Sequence, residues 1–171
     1  NPRFELAFAD YLIAAGRNAD AASRLQAHVG SGKASAAAVI RLAQLQRAQG
    51  QVDEALKTLE GSSDPGAQQS RIDLLVQLRR TDEARAIAEA QLATGRTLPA
   101  LMQAAFIEEQ AFSASNDRQF LDRSIALLDE AVAANPENSR ARYTRARLQL
   151  RKPDVSIESV IQDVRQVVQQ D

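Results

Sequence analysis

The chain has 171 residues, with 21 Lys and Arg against 22 Asp and Glu, and this near balance of charge argues against a general nucleic-acid or membrane-surface role. It contains no cysteine and no tryptophan, which excludes disulfides, thiol catalysis and cysteine-bound zinc and disfavours a base-stacking platform. No apolar stretch approaches the roughly 18–20 residues of a membrane-spanning helix, so we expect no direct membrane insertion. The many Ala, Leu, Gln and Arg residues, with few Gly and Pro, are typical of helices.

Apolar periodicity and turn residues predict an all-α chain, because no stretch alternates with the period of two that marks a strand. Each predicted helix carries an apolar stripe and ends near a glycine, a proline or an Asn-Pro pair. The predicted helices span about 3–15, 18–30, 35–49, 52–60, 65–78, 81–95, 97–114, 117–134, 139–151 and 156–171.

Several predicted helices begin at residues that commonly cap a helix N-terminus. These residues accept hydrogen bonds from the free N–H groups of the first turn, and proline at the first helical position loses nothing because its N–H would be unpaired. The predicted starts are Asn18 or Asp20, Ser35, Asp64 with Pro65, Thr97 with Pro99, and Asn116 or Asp117.

The chain repeats itself with a period of about 34 residues, which is in the range of stacked helical hairpins. One such period separates Gly16 from Gly50, and the same interval separates Ala21 from Ala55. The sequence GQVDEAL at 50–56 returns as RRTDEAR at 79–85, after a somewhat shorter interval. Each predicted hairpin is too short to be stable alone, so it must bury its apolar stripe against a neighbour.

One repeat is longer than the others. Ala43 and Ala55, the small residues of one hairpin, are closer together in the sequence than the matching Ala105 and Ser124. The difference between the two intervals is about 7 residues, which corresponds to two helical turns. We therefore expect the seventh and eighth helices to be about one turn longer each.

These units resemble the tetratricopeptide repeat, a helix–turn–helix of about 34 residues with small residues and a closing proline at set positions. In SIALLDEAVAANPEN, Ser124, Leu128, Ala131 and Pro136 stand at the family spacing. ARYTRARLQLRKPD at 141–154 is similar to the first helix of another repeat. No unit has the family's leading Trp, the third unit is short, and the Ala-, Arg- and Gln-rich composition is similar to degenerate bacterial arrays.

The resemblance implies a right-handed superhelix of about five antiparallel helix–turn–helix repeats in a single domain. The expected repeats cover about 1–33, 34–62, 63–96, 97–137 and 138–171. Because the chain does not begin with Met, and Gln169-Gln170-Asp171 looks like a repeat cut before its closing proline, we expect it to be a segment of a longer protein. The sequence does not indicate a compartment.

The resemblance also implies a concave groove lined mainly by the first helix of each repeat. The residues at the groove positions combine apolar side chains with charges of both signs, which suits an extended peptide or an amphipathic helix. The Lys and Asn of the family's carboxylate clamp are missing, because Leu6, Asp10 and Arg41 occupy those offsets. The predicted groove residues are Asp10, Ile13, Ile40, Gln44, Arg47, Asp73, Val76, Met102, Phe106, Glu109, Arg140, Tyr143 and Arg147.

Five arginines between 140 and 151 form the densest positive cluster. One interpretation is a site for an anionic partner, since guanidinium groups bind carboxylate or phosphate with two hydrogen bonds. The interpretation that we favour is a solvated face paired with acids such as Glu137 and Asp154. The cluster consists of Arg140, Arg142, Arg145, Arg147 and Arg151.

No other motif predicts chemistry. His28 is the single histidine and has no ligand partner at metal-binding spacing. Glu108 and Glu109 are adjacent, so they do not converge on one point of a helix. The GSGK segment at 30–33 lacks the full spacing of a phosphate-binding loop. We therefore predict no cofactor, no metal and no enzymatic activity.

The sequence predicts a non-enzymatic scaffold that binds a protein or peptide segment in its concave groove, and no nucleic acid. An alternative is a structural spacer that sets the distance between other domains. A further alternative is an array segment of a bacterial export or secretion assembly that contacts an acidic polymer through the arginine cluster. The oligomeric state is not predicted.

Overall fold

The computed structural model describes residues 2–168, with side chains from residue 4 onward, and this part of the chain contains ten helices and no strand. The predicted all-α repeat fold is thus confirmed, whereas the predicted ends at residues 1 and 171 and the Gln169-Gln170-Asp171 segment lie outside the described residues. The helices are α1 (Pro2–Ala14), α2 (Asn18–Gly30), α3 (Ala36–Ala48), α4 (Val52–Glu60), α5 (Pro65–Gln77), α6 (Thr81–Thr94), α7 (Leu98–Ser115), α8 (Arg118–Ala134), α9 (Ser139–Gln149) and α10 (Ile157–Val168).

Side-chain caps fix the start of α3, α5, α7, α8 and α9. The Asp64 carboxylate accepts from the N–H groups of Gly66 and Ala67, at 2.8 and 3.3 Å. The other capping residues, each accepting one backbone N–H, are Ser35, Thr97, Asp117 and Asn138. The prediction that Asn18 or Asp20 caps α2 is wrong, because α2 begins at Asn18 itself and Asp20 pairs instead with Arg17 at 2.7 Å.

The chain forms two compact units, Asn1–Leu78 with α1–α5 and Arg79–Asp171 with α6–α10. The boundary lies inside the predicted third repeat, 63–96, between its two helices. The repeat bounds and the single domain stay predictions.

In the first unit, each helix packs against the next along the chain, and α3 also contacts α5. The core consists of buried apolar side chains between successive helices, with small residues where two helices approach closely. Ala9, Ala21 and Ala55 have no exposed surface, and Ala43 is 3% exposed. A helix pair with alanine at its crossing brings the two backbones together and buries the neighbouring leucines.

In the second unit, α7 has 18 residues and α8 has 17, whereas the remaining helices of the chain have 9 to 14. The predicted lengthening of the seventh and eighth helices is confirmed. At their crossing, the Ser124 hydroxyl is fully buried and donates to the carbonyl oxygen of Ala105 at 2.7 Å. Serine can fill this small-residue position because the facing backbone offers its hydroxyl an acceptor.

The tight turns within the repeats use left-handed backbone geometry. Gly16 and Gly50 have φ angles of +74° and +78°, and the N–H of Gln51 bonds back to the Gln46 carbonyl at 2.8 Å, as in a Schellman motif. Arg79, which stands at the same position of the repeated sequence, has a φ of +59°. A side chain in this region is strained, since only glycine adopts it without a steric cost.

Replacing Ala55 with Arg should unfold the first unit, with a loss of more than about 4 kcal/mol, because it forces a charge into a seam without space or partner. Urea unfolding followed by circular dichroism measures the loss. Ala48→Arg, an alanine that is exposed at the end of α3, is the matched control and should change the stability by less than about 0.5 kcal/mol. An unchanged unfolding curve for Ala55→Arg would contradict the seam.

Arg79→Gly should raise the free energy of unfolding by about 0.5–1 kcal/mol, because it relieves the left-handed strain at the turn. Gln51→Gly is the control: Gln51 has a φ of −86°, so glycine there only adds freedom to the unfolded chain and should lower stability. If both variants were destabilised equally, the strain at Arg79 would be refuted.

Candidate functional site

A cleft of about 160 Å³ opens between α3 and α5 in the first unit, with α4 contributing Leu59. It lies where two first helices of neighbouring hairpins are in contact. The lining residues are Ile40, Ala43, Gln44, Arg47, Leu59, Ser70, Asp73, Leu74 and Gln77.

The cleft combines apolar and polar lining residues. Ala43, Leu59 and Leu74 are buried, whereas Gln44 and the remaining polar residues of α3 and α5 are more accessible. Such a cavity can take one apolar side chain while the surrounding amides and charges bind polar groups beside it.

Hydrogen bonds order two of the polar groups. Arg47 donates through Nη1 to the Gln77 side-chain oxygen at 2.7 Å, which links α3 to α5. The Gln69 amide donates to Asp73 Oδ1 at 2.8 Å. The rim therefore presents a positive and a negative group, each held in place by a glutamine.

Four of the predicted groove residues, Ile40, Gln44, Arg47 and Asp73, meet in this cleft. Helix α5 also contributes three residues that the sequence analysis missed: Ser70, Leu74 and Gln77. Together with Asp73 they follow the spacing of one helical face, which was the available signal. Val76 is half-buried and does not line the cleft.

The predicted groove residues of α1 lie outside this cleft. The Asp10 carboxylate is 2.9 Å from Arg41 Nε, and Arg41 in turn donates to the Gln44 amide oxygen at 3.2 Å. Ile13 packs against the buried cluster of the first unit. The ion pair therefore ties α1 to the polar edge of α3.

The second unit presents a face of its own on α7 and α9. Phe106 and Tyr143 are 42% and 59% exposed. Arg147 donates to the buried Glu109 carboxylate at 2.8 Å, and this hydrogen bond raises the pKa of the Arg147 guanidinium above its ordinary value.

The two other predicted residues of this unit differ in exposure. Met102 is half-buried and packs against two apolar clusters of the second unit. Arg140 is exposed on α9.

The arginine cluster does not form one solvated face. Arg142 is buried and bonds both Asp163 and the Pro136 carbonyl, at 3.1 and 2.6 Å. Arg145 bonds the same Asp163 carboxylate at 2.6 and 2.7 Å, and this raises its pKa. The prediction of solvated arginines is wrong here because Asp163 of α10, only 1% exposed, compensates the buried charge.

Two further arginines of the cluster have other partners, whereas Arg140 is exposed. Arg147 pairs with Glu109, and the Arg151 guanidinium lies over the Phe112 ring, 4.4 Å from its centroid. The cluster is therefore divided among several partners, and its contact with an acidic polymer stays a prediction.

The structure also places the GSGK segment and shows which metal-binding groups and long apolar helices are absent from the described residues. Gly30 ends α2, and Ala34 and Ser35 separate the GSGK segment from the first residue of α3, so the segment does not itself form a helix N-terminus. Within the described residues there is no group of three side chains that could hold a metal ion. Among residues 2–168 no helix combines the length and the apolarity that crossing a bilayer requires.

The helical hairpins and their seams define a helical-repeat protein, and comparison with known families agrees. Tetratricopeptide-repeat models match residues 12–77 and 117–156. The chain belongs to the tetratricopeptide-repeat family, whose members generally serve as non-enzymatic scaffolds for protein interactions. No curated protein sequence matches it.

Solved structures with the same fold span nearly the whole chain. MamA 41-end from Desulfovibrio magneticus RS-1 is 13% identical, with a TM-score of 0.66, over 99% of this chain and 94% of that one. YrrB, described as a TPR protein with an unusual peptide-binding site, is also 13% identical, with a TM-score of 0.61, over 100% and 87%. Another MamA structure is 10% identical, with a TM-score of 0.64, over 95% and 93%. At these identities the similarity establishes the fold.

Asp163→Ala should destabilise the second unit by about 3–5 kcal/mol, because it leaves the buried Arg142 guanidinium and the half-buried Arg145 guanidinium without their shared carboxylate. Asp129→Ala removes the other carboxylate that pairs with Arg145. Because the Asp129 side chain is 54% exposed, its loss should lower the stability by less than about 1 kcal/mol. Chemical denaturation of both variants gives the comparison. Equal, small losses would mean that the buried pair contributes nothing to stability.

Proposed function

We propose that this protein is a non-enzymatic interaction scaffold that binds an extended peptide segment, with one apolar side chain of the peptide inserted between α3 and α5. The observation that carries the proposal is the cleft itself, in which buried apolar side chains are bordered by polar side chains on two adjacent first helices. An extended peptide can place one apolar side chain against the buried part of such a cleft, while its backbone N–H and C=O groups bond the polar side chains beside it.

The size of the cleft favours a single aliphatic anchor. A volume of about 160 Å³ accommodates one side chain of the size of leucine or valine, but not a folded element. Burying such a side chain contributes about 1.5–3 kcal/mol, which is sufficient to make one anchor decisive for a weak ligand.

The rim supplies groups for the peptide backbone. The amide nitrogens of Gln44 and Gln77 can donate to the C=O of an extended chain, and their oxygens, which accept from Arg41 and Arg47, can each accept a second hydrogen bond from its N–H. Arg47 and Asp73 add one charge of each sign and would favour one direction of the peptide. On the second unit, Phe106, Tyr143, Glu109 and Arg147 offer a comparable mixture of exposed aromatic and paired charged groups.

Ser70→Leu should fill the cleft and weaken peptide binding at least tenfold, while α5 remains helical. Peptides are selected from a random display library of short peptides on the intact protein, and their affinities are measured by fluorescence anisotropy. We expect dissociation constants on the order of micromolar and a shared aliphatic residue among the selected peptides.

Ser113→Leu is the matched control, because Ser113 is exposed on α7 and distant in sequence from the cleft. It should leave the affinity unchanged. Peptides that bind Ser70→Leu as tightly as the unmodified protein would refute the site, and a library that yields no peptide would favour a spacer role.

A further inference from the structure

A stripe of aliphatic side chains lies exposed on α10. Ile157, Ile161, Val164 and Val168, which we call the α10 stripe, are between 43% and 68% exposed. Their spacing of three and four residues places them on one face of the helix. A contiguous apolar face of this kind on a protein surface marks an interaction site.

The corresponding face of α8 is covered by α9. The Asp122 carboxylate lies 2.8 Å from Lys152 Nζ, just after α9, and the Asp129 carboxylate lies 2.9 Å from Arg145 Nη1. Ile125, between the two acids, is buried in an apolar cluster shared with α9. This seam joins the second helix of one hairpin to the first helix of the next.

The two faces correspond because each helix also packs on the helix before it through one buried polar residue. Ser124 of α8 bonds the backbone of α7, and Asp163 of α10 bonds arginines of α9. Counted from these two residues, the α10 stripe takes the place of the α8 face that α9 covers. The matching residues are Ile161, Val164 and Val168 for Asp122, Ile125 and Asp129.

Helix α1 exposes an aromatic row that consists of Phe4, Phe8 and Tyr11. Phe4 and Tyr11 are 59% and 65% exposed, and the Phe8 ring centroid lies 6.1 Å from each of theirs. Counted from a buried alanine in each helix, Ala9 in α1 and Ala146 in α9, this aromatic row takes the positions with which α9 meets α8. The matching residues are Phe4, Phe8, Tyr11 and Ala15 for Ala141, Arg145, Leu148 and Lys152.

The α10 stripe and the aromatic row are matched in polarity. Where the α8–α9 seam has ion pairs, both exposed faces have apolar residues instead. A partner with charges at these positions would bury a charge without a counterion, whereas the two faces placed together bury none. The replaced pairs are Asp129 with Arg145, by Val168 with Phe8, and Asp122 with Lys152, by Ile161 with Ala15.

The charged residues near the two faces do not oppose such a contact. Each acid of α1 and α2 is already paired with an arginine, at 2.7–2.9 Å, so the surroundings of the aromatic row are neutralised locally. Glu158 and Arg165, the exposed charges of α10, have opposite signs. The pairs of α1 and α2 are Glu5 with Arg24, Asp10 with Arg41 and Asp20 with Arg17.

We propose that a second copy of this protein covers the α10 stripe, and that the copies associate head to tail. The α10 stripe of one copy packs on the aromatic row of the next copy, as α8 packs on α9 within the chain. The contact joins two different surfaces, so each copy keeps one face of each kind free and further copies can add.

Sedimentation velocity of the intact protein between about 5 and 500 μM tests the association. We expect reversible growth beyond the dimer with a dissociation constant on the order of 10 μM, since a contact between two helix faces belongs to the small and weak class of interfaces. The association should persist in about 1 M salt, because the contact is apolar and is not screened.

Two variants each block one face. Ile161→Asp places a charge in the α10 stripe, and Tyr11→Asp places one in the aromatic row. Each variant alone should weaken the association at least tenfold and stay monomeric at about 100 μM. An equimolar mixture should form a one-to-one dimer and nothing larger, because each variant supplies the face that the other lacks.

Gln162→Asp is the matched control, because Gln162 is exposed beside Ile161 and outside the α10 stripe. It should associate as the unmodified protein does. Both blocked positions are exposed, so circular dichroism and urea unfolding should show that the variants remain folded.

The mixture distinguishes head-to-tail association from contacts between identical faces. If Ile161→Asp or Tyr11→Asp alone still formed a dimer, the contact would join two like faces and the proposal would be wrong. A protein that stays monomeric throughout the concentration range would also overturn it and would assign the α10 stripe to another chain. The residues of the α3–α5 cleft take no part in this contact, so the peptide assay described above is independent of the result.

Discussion

The close approach of paired helices at small buried residues is the constraint on which the rest of this structure depends. Ala43 and Ala55 form one such seam, and Ala105 and Ser124 form a longer one whose hydroxyl is bonded to the facing backbone. Because the backbones approach there, each hairpin buries its leucines against the next. In the first unit α3 and α5 are in contact, and the α3–α5 cleft opens between them.

Much of the fold could be predicted because the residues that start, end and lengthen the helices lie close together in the sequence. Gly50 fixes a turn, Asp64 and Pro65 fix a helix start, and the long interval between Ala105 and Ser124 indicated the lengthened pair. The buried ion pair between α9 and α10 could not be predicted in this way. Asp163 lies 21 positions from Arg142, and no local pattern shows that α10 directs this carboxylate into the space beside α9.

Only some of the residues that line the α3–α5 cleft could be predicted, because the prediction counted positions from one buried residue of each helix. The predicted α3 residues line the cleft because their offsets start from Ala43, which is buried. On α5 the cleft includes Leu74 and Gln77, so a face judged from sequence offsets alone was incomplete. The rule that adjacent acids point apart held for Glu108 and Glu109, but it does not reveal that each is buried against its own arginine.

The pairing of Glu109 with Arg147 joins α7 to α9 across 38 positions, which is about one repeat of the chain. Contacts between neighbouring hairpins close loops of about this size wherever they lie, so the chain entropy that each one costs does not grow with the number of repeats. A repeat chain built this way acquires structure as successive hairpins become available, so a growing polypeptide can order its first hairpins before the later ones are synthesised.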